Sequence, residues 1–328
     1  MNLHEIQTKS KEFFEKNNVE IVRYGLDIAV PVCLDEVDIT DLNIEINDNF
    51  MSILNFDDNF FIAYNTANLE NIVFFEVKED KVICLDEINE RYVHVVLIIE
   101  DNCNVKLIDN SSIKEKESKI VEIILKKNSK LDYHSLYSNS ESKLITKRIS
   151  VGENSECSMI DYFFGNKFLR VDTKAFLDGK NSSSKIGQVF LSENEEKSVI
   201  ETKVYHNEGD TKSDMLIKGI LKDNSFSVFD GLVNVKDGAK NVEGYQRNDV
   251  LLLNKNAEYN SIPQLEIDNG DVKCSHGATI GRINEDQLFY LMSRGLNKEK
   301  AKEIIVDGFL KNVIGKMDKS LRKVIENE

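Results

Sequence analysis

The sequence predicts a mainly β protein with helical segments at both ends. Two observations point there. From about residue 91 to 283, a dozen short segments with β-type patterning follow one another, their starts roughly 11 to 16 residues apart in all but the last interval. No helical pattern separates them, which argues against strand–helix–strand units. Such a cadence fits a sandwich, a barrel or a β-solenoid. About 190 residues without a helix is long for a simple sandwich. A solenoid needs only a regular strand cadence, because each coil packs on its neighbours. No strict sequence repeat is visible, so periodicity alone leaves the three architectures open.

Taken in order, residues 1 to about 18 read as a helix, with Ile6, Phe13 and Phe14 on one apolar face. Residues 19–90 are mixed, and turns such as Asn55-Phe-Asp-Asp-Asn59 break up short apolar runs. The β-type segments then start near Val93, Val105, Lys119, Lys130, Lys143, Glu156, Phe168, Ser184, Ser198, Ser213, Ser225 and Asp249. Many alternate apolar and polar residues as half-buried strands do, with Asn, Asp, Gly and Ser in the gaps. From 284 onward the period becomes helical. Asn284 is placed to cap a first helix, with Gln287 three residues on. Gly295 can take the left-handed stop, and Asn297 caps a second helix. Along that second helix Ala301, Ile304, Ile305, Phe309, Val313, Met317, Leu321 and Val324 form one stripe. The expected division is therefore a mixed region 1–90, a β-core 91–283 and a helical hairpin 284–328, whose stripe must bury against the core or a partner.

The bulk composition narrows the function. The 328 residues include 41% hydrophobic and 30% charged residues, as in a folded globular chain. A net charge of −15 opposes non-specific binding to nucleic acid or anionic membranes. The five cysteines (Cys33, Cys84, Cys103, Cys157 and Cys274) are odd in number and scattered, so they do not read as a disulfide framework. The N-terminal residues mix charges with apolar side chains, and the apolar run Val93 to Ile99 is far too short to span a bilayer. The cytoplasm is the expected location.

The sharpest local signal is Asp271-Val-Lys-Cys274-Ser-His276-Gly-Ala-Thr-Ile-Gly281. On an extended segment, Cys274 and His276 point to the same side, about 6–7 Å apart at the backbone. A thiolate and an imidazole there suit iron–sulfur, zinc or copper better than magnesium or calcium. Two ligands do not close a site, so others must come from elsewhere, a second chain included. On spacing alone, a buried apolar thiol beside a hydrogen-bonded turn histidine is the commoner outcome. The i, i+2 spacing does not readily make a nucleophile–base pair. Cys33, Cys84, Cys103 and Cys157 read as core thiols, His94, His134 and His206 as structural, and His4 as solvated. No phosphate-cradling glycine loop, nucleophile elbow or zinc-protease motif is present. Asp230, Asp237 and Glu243 could be the carboxylates of a carbohydrate-active solenoid, a remote alternative in so acidic a chain.

From Tyr245 to Phe309 the sequence resembles the C-terminal region shared by the SufB and SufD proteins of the SUF iron–sulfur cluster pathway. The resemblance rests on Gln246, the Leu251-Leu-Leu run, Ala257-Glu258 and Pro263-Gln-Leu-Glu-Ile267. It continues through Asp271–Gly281, Glu285-Asp-Gln-Leu-Phe-Tyr-Leu291 and Ser293-Arg-Gly295, to Ala301 and Phe309. Cys274-Ser-His-Gly-Ala-Thr279 is of the D type. The B type has a Glu after the histidine, where Gly277 stands, and a scaffold cysteine after the glutamine, where Arg247 stands. The resemblance implies a right-handed parallel β-helix (β-solenoid) core with a helical C-terminal domain. It implies pairing with a SufB-like chain through that core, and docking of a SufC-like ABC ATPase on the C-terminal helices. It places His276, and with it Cys274, at the B–D interface as metal- and cofactor-binding residues. Iron or an iron–sulfur cluster would be held there transiently, with none stably bound to the isolated chain. The chain itself would be a non-catalytic scaffold subunit. A SufB-like homodimer of a two-component system is the alternative within the family.

Overall fold

The computed structural model describes residues 3–17, 21–24, 28–31, 50–55, 58–85, 88, 90–111 and 115–326. Helix α1 (Leu3–Asn17) comes first. A small antiparallel pair, β1 (Ile21–Tyr24) and β2 (Ile28–Pro31), and a helix α2 (Phe60–Ala67) follow. Sixteen strands then form two eight-stranded parallel sheets. In spatial order the first sheet holds β3 (Asn71–Val77), β5 (Tyr92–Ile99), β7 (Lys116–Leu125), β9 (Ser142–Val151), β11 (Phe168–Leu177), β13 (Lys197–His206), β15 (Phe226–Val235) and β17 (Glu258–Ile267). The second holds β4 (Lys81–Cys84), β6 (Asn104–Ser111), β8 (Lys130–Ser138), β10 (Glu156–Phe164), β12 (Ser183–Ser192), β14 (Lys212–Leu221), β16 (Val242–Leu252) and β18 (Val272–Arg282).

Consecutive strands alternate between the sheets, and each pairs in parallel with the strand two places away. That is a β-solenoid of about seven turns, as expected. The sheets begin at Asn71, ahead of the expected boundary near 91.

A recurring corner of the coils is set by Asn or Asp. Asn102, Asn128, Asn154, Asn181, Asp210 and Asn241 all take positive φ, between 55° and 63°. Asn and Asp tolerate this left-handed conformation better than other residues with a Cβ. Their side chains also link the coils. Asn128 Nδ2 donates to Asn102 Oδ1 and Asn154 Nδ2 to Asn128 Oδ1, each over 26 residues. Asn181 continues the ladder over 27 residues, and Asn241 reaches Asp210 over 31.

Strand alternation sends one set of side chains into the lumen. Most are apolar: Val95, Val121, Ile149, Val171, Ile200, Phe163, Phe190 and Phe229 are fully buried there. Polar groups also line the interior, and they are paired. Lys119 Nζ lies 2.8 Å from Asp109, Lys147 Nζ 2.7 Å from Asp161, and Lys143 contacts Glu117. Gln188 Nε2 donates to Asp161 and Thr202 Oγ1 donates to Gln188, extending the chain of contacts.

Both outer faces carry helices. At the N-terminal end, Leu3 and Ile6 of α1 pack with Phe50 and Leu69 on Ile72, Val96 and Ile98. Asn59 caps α2: its Oδ1 accepts from Phe61 and Ile62 N–H, both at 2.9 Å. Its Nδ2 donates to Asp172, which is bound by Arg148 at 2.7 Å. The turn read at 55–59 therefore launches a helix.

The C-terminal segment forms three helices, α3 (Glu285–Ser293), α4 (Lys298–Ile314) and α5 (Lys319–Glu326), in place of the expected hairpin. Asn284 and Asn297 cap α3 and α4 as expected, and Gly295 takes φ +95°. The long stripe breaks after Gly315, the C-cap of α4. Asp318 then accepts from Ser320 N–H at 2.8 Å and pairs with Lys106, while its own N–H reaches His134 Nδ1 at 3.3 Å. The break lets the stripe follow the second sheet. Leu310, Val313, Met317 and Leu321 are buried on Leu136, Ile160, Tyr162, Val189 and Ile220.

Candidate functional site at the open end of the solenoid

The sheets end together, at β17 and β18, and among the described residues no strand pairs with their outer edges. The register shows what this does to the lumen. Val242, Gly244, Gln246, Asn248 and Val250 of β16 lie beside Val272, Cys274, His276, Ala278 and Ile280 of β18. On β16 the row is covered: Gln246 is 3% exposed and Val250 2%. On β18 the same inward row opens to solvent, with His276 exposed and Ile280 49% exposed. Among the described residues nothing covers the inward face of the terminal coil.

Cys274 and His276 therefore share the inward face of one strand, as the spacing predicts. Cys274 is half-buried, and burial pushes its thiol above the ordinary range, against a smaller opposing pull from a Gly244 backbone hydrogen bond. It is a protonated thiol at neutral pH, so a metal must displace that proton to bind. Gly244 makes room for it: a Cβ there would stand 3.2 Å from Cys274 Sγ and 3.5 Å from His206 Nε2.

His206 is not free to join Cys274. Its Nδ1 engages Thr211 Oγ1 at 2.7 Å and its Nε2 engages Ser213 Oγ at 2.9 Å. Burial lowers its pKa to about 4. The folded chain thus takes up this proton only below about 4, and the unfolded chain already does so below the ordinary value near 6.5. Stability is full above that ordinary value and falls as pH drops towards 4, by on the order of 3 kcal/mol. Urea unfolding at pH 7 and pH 4.5 measures this, and His206→Gln is expected to flatten the difference.

Among the described residues no group of three or more His, Cys, Asp or Glu side chains is arranged to hold a metal ion. Cys274 and His276 are thus a thiol and an imidazole on one strand face, two candidate metal-binding side chains. The remaining candidates are dispersed. Cys103 and Cys157 are buried and Cys84 is exposed, while Cys33 lies outside the described residues. His94 is sealed against Glu122 at 2.8 Å, His134 bridges Asp132 and Asp318, and His4 is exposed. Asp230 sits on β15 paired with Lys203, and Glu243 sits on β16 in the other sheet facing Lys212 and Lys273. They do not form the opposed pair that a glycoside-cleaving site needs.

The sequence reading missed a second feature. Between β16, the end of β18 and helices α3 and α4 runs a groove of about 700 Å³, lined by Leu251, Ile283, Tyr290, Leu291, Ile304 and Phe309. Phe289 beside it is 73% exposed, Tyr290 56% and Met292 41%. Large exposed apolar side chains gathered in this way mark interaction surfaces. Among the described residues no helix is long and apolar enough to cross a membrane.

Fold and site define a parallel β-solenoid whose last coil, uncovered among the described residues, carries a thiol and an imidazole on its inward face. The chain belongs to the SufBD family of the SUF iron–sulfur cluster assembly system: the family model for the SufBD core domain matches residues 84–309. It is similar to the iron–sulfur cluster assembly protein SufD of Escherichia coli (strain K12), with 39% identity over 159 residues, 48% of this chain and 38% of that protein. An iron–sulfur cluster assembly SufBD family protein of Synechocystis is 26% identical over 285 residues, covering 79% of this chain and 59% of its own length. One of Staphylococcus saprophyticus is 29% identical over 250 residues, 76% and 51% of the two chains. The chain thus spans between 38% and 59% of the length of these relatives.

Proposed function

We propose that the chain is a D-type scaffold subunit for iron–sulfur cluster assembly. In this reading it pairs through its open solenoid end with a SufB-like chain and carries a SufC-like ATPase on its C-terminal helices. The observation that supports it most is the uncovered terminal coil. Among the described residues no strand pairs with the outer edges of β17 and β18, and such edges are templates for strand addition by another chain. A solenoid also needs its ends capped, and a partner coil would do so.

His276 is the proposed metal and cluster contact, with Cys274 beside it. The partner supplies the missing ligands, and iron or a nascent cluster is cargo at the shared interface. Thiolate and imidazole suit that cargo. The chain itself is non-catalytic; the groove beside α3 and α4 receives the ATPase, where ATP hydrolysis takes place. Arg247, which forms an ion pair with Asp249 at 2.8 Å, stands where the B type carries its cysteine. This disfavours the homodimeric B-type reading. The acidic balance fits a cytoplasmic subunit with no nucleic-acid or membrane partner.

Co-expression with SufB-like and SufC-like chains, followed by native mass spectrometry, tests this. A complex containing all three chains is expected. A stable homodimer that excludes the SufB-like chain, or no complex with either partner, would overturn it.

A further inference from the structure

Gln246 is 3% exposed, yet neither its Oε1 nor its Nε2 has a hydrogen-bond partner among the described residues. Buried amides are almost always satisfied, so an orphaned one calls for a partner from outside or a function. Its position is specific. The register sets it beside His276, one coil further into the lumen. Its carboxamide crosses the lumen to Gly231 of β15, where a Cβ would collide with Nε2. Two residues along, Asn248 has the same character. Its Nδ2 donates to Tyr259 OH and to Ser261 Oγ, the latter at 3.0 Å, while its Oδ1 is left without a partner. Two amide groups with unused hydrogen-bonding capacity thus lie on the inward face of β16, on the strand beside His276.

We propose that Gln246 is an inner binding residue for the ferrous ion that arrives at His276, holding the ion or its water from the lumen side. The inference rests on the reading that His276 works at this end. A neutral carboxamide suits such a task. It offers an oxygen acceptor and an N–H donor without adding charge, so it steadies the cargo without trapping it. Gly231 keeps the space that the carboxamide needs.

Gln246→Leu keeps the side-chain bulk and removes the amide. Two readouts are taken: the thermal midpoint of the isolated chain, and the iron content of the anaerobically assembled complex with the SufB-like and SufC-like chains, with His276→Ala as reference. An orphaned amide kept for cargo gives a variant whose midpoint is ~2–4 °C higher. Its complex holds about tenfold less iron, as for loss of a supporting contact at a metal. A lower midpoint would show that the amide serves the fold, through an ordered water, and would overturn the proposal. Unchanged iron would overturn it as well. If Gln246→Leu keeps its iron and His276→Ala loses it, this inference falls and the scaffold reading stands. If both variants keep their iron, the working role of His276 falls with it.

Discussion

Replacing Lys147 alone by methionine is expected to destabilise the chain by about 3–5 kcal/mol. Lys147 is fully buried. Its Nζ lies 2.7 Å from Asp161 Oδ1, 3.1 Å from Ser135 Oγ and 4.1 Å from the centre of the Tyr133 ring. Asp161 is equally buried and also accepts from Ser135 and Gln188. Removing the ammonium leaves a carboxylate in the dry lumen with two neutral donors, and the penalty of an unpaired buried charge dominates the loss. The pair itself contributes far less than that. The double variant Lys147→Met, Asp161→Leu is accordingly expected within about 1–2 kcal/mol of the parent, because matched apolar replacement removes both desolvation costs. Urea unfolding of the two single variants and the double variant closes the cycle. A single variant within 1 kcal/mol of the parent would mean that water reaches this part of the lumen.

Replacing Ile280 by glutamate is expected to weaken pairing with a SufB-like chain at least about 30-fold, the equivalent of a 2 kcal/mol anchor. Ile280 continues the inward row of Val250, yet it is 49% exposed because no coil among the described residues stacks beyond β18. A charge there meets water in the free chain, so folding changes little, by about 0.5 kcal/mol or less. In the paired state the same charge would be buried without a partner. The combination of unchanged thermal unfolding and lost association, measured by calorimetry, separates an interface defect from a folding defect. Association as tight as the parent's would place the partner elsewhere on the molecule.

Much of this was legible in the sequence, and the gaps have physical causes. The twelve expected strand starts fall within three residues of observed strand starts, except Asp249, which lies well inside β16. Alternation and turn residues report strands directly. The coil repeat was harder to see. Its period drifts from 26 to 31 residues, because the loops between strands vary in length. The fixed element is a backbone conformation, and Asn or Asp at Asn102, Asn128, Asn154, Asn181, Asp210 and Asn241 was the available clue. Strand β4, four residues long, was hidden by its shortness. The single long C-terminal helix failed because apolar periodicity runs through Gly315 unchanged, and only the docking of Asp318 on Lys106 and His134 shows why the chain turns. In the candidate site, the shared inward face of Cys274 and His276 followed from strand alternation, while their proposed role rested on the family resemblance. Gln246 was not found in this way, since a glutamine on a strand says nothing of whether its amide is buried or paired.

The most direct test of the central claim is the iron and sulfide content of the anaerobically assembled three-chain complex, with wild-type chain and with His276→Ala. A working interface residue predicts that the variant assembles with wild-type stoichiometry and loses most of its cluster. A variant complex that loads as much iron and sulfide as wild type would contradict a role for the open solenoid end in cluster assembly.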